Sequence, residues 1–277
     1  MEKIDRWMEL VYENRVQDEY DQITPIVADE GKGKSTFMLE STGRWQHLKG
    51  DEPSIDSVLD RVVWDDRAEF RTALADYPRR AAIPVMDAAH VLFNREQMNP
   101  EQIEAEKGLL DVRTQEYFIL LGYQDWDDIP RTLRKRRAKN VLRIPTRGTI
   151  YGYSRASLDE KYKNCGEDEW PEPDLIDTFP NLDGTDLWAE FKRRDREHKK
   201  ARLRVDDDDS EEAELTAREL AEEIRAEGVG RVVSIHGGNK QPYIDAGLIE
   251  ADYGVSIREA KKVKSLLERE VDVEQYA

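Results

Sequence analysis

The stretch that most constrains this chain is residues 23–36, ITPIVADEGKGKST. A short apolar run ends in a loop holding Gly31 and Gly33, and the loop runs into Lys34, Ser35 and Thr36 and a helical pattern. The spacing is that of a phosphate-binding P-loop, G-x-x-x-x-G-K-[ST], with Ala28 where the first glycine usually stands. Glycines let successive backbone N–H groups turn toward phosphate oxygens, which a Cβ would obstruct. A helix opening near Lys34 adds its positive end to the cradle. There Lys34 reaches the β- and γ-phosphates of a nucleotide such as ATP, and Ser35 gives its hydroxyl to Mg²⁺. A polar turn capping an ordinary helix would share the G-K-S-T. The strand before, the helix after and the spacing together favour the P-loop.

Such a unit needs a sheet around it. Residues 57–65 (SVLDRVVWD) read as a buried strand and 66–77 as a helix ended by Pro78. Residues 81–87 (AAIPVMD) read as a second short buried strand that closes on an acid. Asp87 then stands at the C-terminal edge of a central strand, where a carboxylate holds the water shell of Mg²⁺ across from Ser35. Pro84 is awkward in that run, because it removes one ladder donor. Ala88 follows, where nucleotide-hydrolysing proteins usually carry the glutamate that orients water; Asp65, Asp66 and Glu96 are the candidates to replace it. A helix over 99–112, a buried strand over 116–121 and a pair of strands at 141–144 and 148–153 follow. The alternation over 23–153 predicts a three-layer α/β domain with a largely parallel sheet. A helix over 1–22, with Ile4, Met8 and Val11 on one face, packs against it.

The last third changes character. Pro171, Pro173 and Pro180 among many acids predict an irregular exposed connection over 162–183, and the acidic run at 206–210 a linker. Thr216 with Glu219 makes a capping box opening a helix to about 227, a second helix covers 243–252, and Ser256 with Glu259 opens a third over 257–271. Two helices joined through Gly254, the second carrying Arg258, Lys261, Lys262 and Lys264, outline a helix-turn-helix. A helical lid or oligomerisation module would read the same way. The expected domains are 1–155, an acidic connection over 156–210, and 211–277.

The net charge of −17 and pI of 4.8 speak against nucleic-acid binding over the whole surface. The acids are spread along the chain, however, and arginine outnumbers lysine. That balance suits a high-salt interior, where charge repulsion is screened within about 3 Å at 1 M. Against it, residues 131–139 (RTLRKRRAK) hold six positive charges and no acid. They form either a solvated helix face or a contact for DNA phosphates or an acidic neighbour. The single cysteine, Cys165, excludes an internal disulfide and fits a reducing cytoplasm. No apolar run approaches the ~20 residues that cross a bilayer, so no membrane insertion is expected.

Several residues agree in order: 28–36, the acid-ended strand at Asp87, Arg113 before the next strand, and Gln124 just after it. With the D-I-P-x-x-L-R segment at 128–134 and the R-G-x-x-x-x-Y stretch at 147–153, they resemble the zonula occludens toxin-like branch of the FtsK/HerA DNA-pumping ATPases. The resemblance covers roughly residues 20–155. It implies a RecA/FtsK-like P-loop NTPase fold, with the C-terminal helices as a small added domain. By it, Gly31, Gly33, Lys34 and Ser35 hold phosphate and Mg²⁺, and Thr36 lies beside the nucleotide. Asp87 is the Walker B acid, and Gln124 the polar sensor of the γ-phosphate. Arg113, or one of Arg131, Arg134, Arg136 and Arg137, is a finger reaching into a neighbour's site. A finger in trans implies a homo-oligomeric ring, and rings of this family surround double-stranded DNA. With the acidic composition, the resemblance points to a haloarchaeal virus or mobile element, acting in the host cytoplasm or associated with the virion.

The expected function is ATP hydrolysis coupled to DNA translocation or packaging. Ala88 instead favours a nucleotide-binding regulatory or assembly protein with weak or no hydrolysis, binding DNA or a partner through its C-terminal helices. A small-molecule kinase ranks last, since no acceptor lid or catalytic base is evident.

Overall fold

The computed structural model describes residues 1–96, 99–166, 169–235, 241–255 and 257–270, with the side chains of 110, 112, 113, 203–216, 257, 258 and 270 outside the description. The chain forms two compact units, Met1–Asp195 and Arg196–Ala277. In the first, the order is α1 (Glu2–Val11), β1 (Gln22–Val27), α2 (Lys34–Leu48), α3 (Ile55–Leu59), α4 (Arg67–Asp76), β2 (Ala82–Val85) and α5 (Ala88–Val91). Then come α6 (Pro100–Asp111), β3 (Phe118–Tyr123), β4 (Asn140–Thr146), β5 (Thr149–Ser154), α7 (Arg155–Asn164) and β6 (Leu175–Thr178). Helix α8 covers Asp186–Glu227.

The six strands lie in the order β2-β3-β1-β4-β5-β6. β2, β3, β1 and β4 run parallel, while β5 and β6 are antiparallel additions at one edge. Because side chains alternate across a strand, each central strand feeds two cores. Ile119, Leu121 and Tyr123 of β3 meet α4, α5 and α6 on one face, and Phe118 and Leu120 meet α1, α2 and α3 on the other. Trp45 of α2 stacks on Phe118 with ring centroids 4.2 Å apart. This is the three-layer α/β architecture of a P-loop NTPase: the loop after β1 enters α2, and β3 separates β1 from the acid-ended β2.

Pro84 fits this sheet for a stated reason. Its carbonyl accepts the Val63 N–H at 2.9 Å, so the donor it lacks would face the same side. There Val63–Val85 is an isolated bridge and the preceding chain is still a turn, so no ladder bond is lost.

Several elements differ from the sequence expectations. The stretch 57–65 is not a strand. Ser54 and Ser57 cap each other reciprocally and start α3, and only Val63 reaches the sheet. The expected irregular connection over 162–183 holds the end of α7 and strand β6, whose pairing with β5 draws Phe179 and Leu182 into the core. The N-terminal helix stops at Val11 and continues as a π-helical turn, Tyr12–Val16. Residues 206–210, expected as a linker, are helical within α8, so no helix opens at Thr216.

The second unit has its own small core. A hairpin, β7 (Val233–Ile235) with β8 (Pro242–Ile244), precedes α9 (Ala246–Tyr253) and α10 (Ile257–Glu270). Asp245 caps α9 by accepting the Gly247 N–H at 2.8 Å. Gly254 ends α9 in the left-handed conformation, as glycine does at helix C-termini. Ala260, Val263 and Leu267 of α10 are buried with Ile224, Ile244 and Ile249, leaving Lys261 outward. The capping serine expected at position 256 lies outside the described residues. Among the described residues no helix is long and apolar enough to cross a membrane.

Candidate functional site

The loop after β1 is built as the glycines require. Ala28, in place of the first glycine, is buried and donates its N–H to the Tyr123 carbonyl at 3.1 Å, which ties the loop's entrance to β3. Gly31 and Gly33 take φ of +76° and +96°, a region costly to any residue with a Cβ. Gly33 also caps α2, so Lys34, Ser35 and Thr36 form that helix's first turn with N–H groups that lack an intrahelical acceptor.

Lys34 is half-buried and its stem lies along β3. A Cβ added at Gly122 would stand 3.3 Å from Lys34 Cδ, 3.2 Å from the Val85 carbonyl oxygen and 2.6 Å from that of Met86. Glycine is therefore required at 122 by close approach. The lysine passes over β3 toward the end of β2, where Asp87 follows. Burial pushes the Lys34 ammonium below its ordinary value, opposed by the carboxylates of Asp87, Asp128 and Glu30 in that order.

Gly122→Ala is expected to destabilise the chain by about 3 kcal/mol, because the nearest obstruction is backbone and cannot swing aside. Urea unfolding measures this, and a cost near zero would contradict the packing.

Asp87 starts the short helix α5, and its N–H donates to the Trp64 carbonyl at 3.0 Å. Its carboxylate is exposed enough to take a ligand and lies 3.7 Å from His90 Nε2. Magnesium takes one or two protein oxygens and completes its octahedron with phosphate and water. The Ser35 hydroxyl and the Asp87 carboxylate suit that chemistry, and among the described residues no group of three or more His, Cys, Asp or Glu could hold an ion by itself.

Ala88 is wholly buried against α4 and β3. A side chain at 88 points into the core and away from solvent. Of the three candidates, Asp66 caps α4 through the Glu69 N–H at 2.7 Å. Glu96 is held by Arg67, whose hydrogen bond keeps that carboxyl below its ordinary range. Asp65 lies in the bend that follows the Val63–Val85 bridge, and the Asp87 N–H, donating to the Trp64 carbonyl at 3.0 Å, keeps its segment beside Asp87.

Gln124 is exposed in the bend just after β3, beside the end of β1. Arg113 lies in the 3₁₀ turn before β3, at the sheet edge opposite the P-loop, and its side chain lies outside the description. The basic segment divides. Arg134 is buried against Asp127, and Arg137 donates to Asp21 and the Leu109 carbonyl. Arg131 and Arg136 are exposed.

Asp128 heads the D-I-P-x-x-L-R segment, but the sequence assigns it no place at the site. It sits in the loop after β3, its carbonyl accepts the Asn94 N–H at 3.0 Å, and burial raises its carboxyl above the ordinary value. Only the return of that loop toward Lys34, whose ammonium its charge supports, brings it to the site.

No protein-family profile and no curated protein matches the chain. Solved structures similar to it include the N-terminal domain of zonular occludens toxin from Neisseria meningitidis, at 14% identity and a TM-score of 0.39, covering 61% of this chain and 98% of that one. The genome packaging NTPase B204 of Sulfolobus turreted icosahedral virus 2, in complex with ATP-gammaS, is similar at 15% identity and a TM-score of 0.35, covering 50% and 94%. Its AMPPCP complex matches at 14% and 0.34, again over 50% and 94%.

Proposed function

We propose that this chain is a P-loop ATPase that binds ATP with Mg²⁺ and couples its hydrolysis to translocation or packaging of double-stranded DNA in a virus or mobile element. The observation that carries the reading is Lys34 at the head of α2, laid over Gly122 and facing Asp87 across β3. In this reading the N–H groups of the loop and of the first turn of α2 hold the phosphates, and Lys34 neutralises their terminal charge. Mg²⁺, held by Ser35 and Asp87, would draw negative charge from the terminal phosphate oxygens. Asp65 accepts a hydrogen bond from the attacking water and aims it, the task that position 88 cannot perform. Gln124 senses the terminal phosphate from the end of β3. An exposed arginine from a neighbouring copy completes the site in a ring, and the helices α9 and α10 contact DNA or a protein partner. The reading places the protein in the host cytoplasm or with the virion.

ATP turnover at high salt with Mg²⁺, with and without double-stranded DNA, tests this. The wild-type chain is expected to turn over faster with DNA. Asp65→Asn should lower turnover on the order of 10²–10³-fold while MgATP binding persists, whereas Asp87→Asn should weaken the Mg²⁺ dependence of binding itself. Asp65→Asn with undiminished turnover would remove Asp65 from the mechanism. The buried Ala88 also favours a second reading, an ATP-dependent switch with little turnover. Tight binding without hydrolysis in the wild-type chain would select it.

A further inference from the structure

The sheet order gives the bound phosphates a direction. β3 and β2 lie on one side of β1, and with them Lys34's stem and Asp87; β4 and β5 lie on the other. A triphosphate whose terminal end meets Lys34 and Asp87 therefore leaves the P-loop with its other end toward β4 and β5. A cavity of about 250 Å³ lies there, against Gly33 and Thr36.

Its walls come from two segments that the phosphate site does not use. One is the turn between β4 and β5, with Arg147; the other is the loop after β6, with Phe179, Pro180 and Asn181. The Phe179 N–H donates to the Gly148 carbonyl at 3.0 Å, which fixes one segment to the other. Phe179 packs edge-on against Phe37 of α2, with centroids 5.4 Å apart. A Cβ on Gly33 would come within 3.3 Å of its ring, so the last P-loop glycine and this aromatic are in mutual contact. At the rim, the Arg147 guanidinium donates to Asn181 Oδ1 at 3.1 Å and pairs with Asp183. Pockets that enclose a whole small ligand run to about 300–1,000 Å³, so this cavity suits one portion of a larger molecule.

We propose that this cavity holds the base of the nucleoside triphosphate whose phosphates occupy the P-loop. An aromatic ring, a proline and a guanidinium plane offer the flat, polarisable contacts that a base accepts on its faces. Asn181 Oδ1 already accepts from Arg147 and the Asp183 N–H, and its Nδ2 donates one N–H to Asp183 at 3.0 Å, so the amide brings its second N–H to the base edge. The R-G pair at 147–148 thereby acquires a role in nucleotide selection. The proposal rests on the P-loop reading above.

Calorimetric titration of the full chain with MgATP and with inorganic tripolyphosphate plus Mg²⁺ separates the two claims. Wild type should bind ATP more tightly than tripolyphosphate. Phe179→Ala and Arg147→Ala should each weaken ATP about tenfold and leave tripolyphosphate unchanged. Arg147 is more than half exposed, so its variant keeps the test valid should Phe179→Ala fail to fold. Parallel loss of both ligands in the Arg147 variant, or equal wild-type affinity for the two, would overturn the base pocket and leave the P-loop standing. A wild-type chain that binds neither ligand overturns both. Photolabelling with 8-azido-ATP gives a direct check. Label on the peptide holding Phe179 and Asn181, or on that holding Arg147, supports the pocket, and label elsewhere counts against it.

Discussion

Lys34→Met is expected to abolish ATP turnover, by 10²–10³-fold or more, while the protein stays folded and melts no lower than wild type. The two halves of this result have one cause. Lys34 holds its ammonium in a partly desolvated position at the end of β3, where a cation is most useful to an arriving anion and least comfortable without one. Its ionisation is shifted below the ordinary lysine value of 10.5, with burial as the largest influence. For a base the sign is as follows. Below the folded-state value both folded and unfolded chains carry the proton, and the folded chain alone bears the cost of burying it. The cost relaxes only as pH rises from the folded-state value toward 10.5. At neutral pH the charge is therefore a liability to the empty protein, and methionine, which keeps a stem over Gly122, removes it. Thermal melts at pH 7 with turnover assays check both halves. A large drop in melting temperature would mean that Lys34 is structural and that the loss of turnover says nothing of phosphate.

Ala88→Glu, the substitution that would complete the usual acidic pair, is expected to destabilise the chain on the order of 3–5 kcal/mol without raising turnover. Position 88 is wholly buried with Phe70, Val91 and Leu121 in the same core. A glutamate there must bury an unpaired carboxylate or force α5 away from the sheet. Ala88→Gln separates charge from volume: it should cost less than Glu while still overpacking the core. Denaturant unfolding measures both. If Ala88→Glu folds as well as wild type and hydrolyses ATP faster, the position faces the nucleotide, and the assignment of Asp65 to the water is wrong.

The shape of the loop after β1 was legible because its demands are local. Positive φ at Gly31 and Gly33 and a helix opening at Lys34 are set by neighbouring residues, and a sequence displays its neighbours directly. The alternation of strand and helix up to β5 was legible for the same reason. Legibility failed where tertiary register decides. The apolar run at 57–65 looked like a strand because Val62 and Val63 are buried, yet the Ser54–Ser57 capping pair upstream marked a helix start that the apolar pattern masked. β6 was lost among prolines. It is an edge strand with Ile176 half exposed, so its side chains show little of the burial that reveals a strand. Gly122 and the core-facing side of position 88 depend on how β2 lies against β3, and no local pattern encodes that.

Gly122 has a consequence for what this site can do when a ligand arrives. Lys34 Cδ and the carbonyl oxygens of Val85 and Met86 all lie within 3.3 Å of where a Cβ at 122 would stand, so no side chain fits there between the lysine stem and the end of β2. The distance from the lysine to the end of β2 is set by backbone thickness, as the jaws of a locked caliper are set by a spacer. Charge at the site is open to change by substitution, but its spacing is not. A ligand that reaches both Lys34 and the end of β2 must match that spacing, and the loops after β3 and α5, joined by the Asn94–Asp128 bond, are the segments outside the sheet that border it.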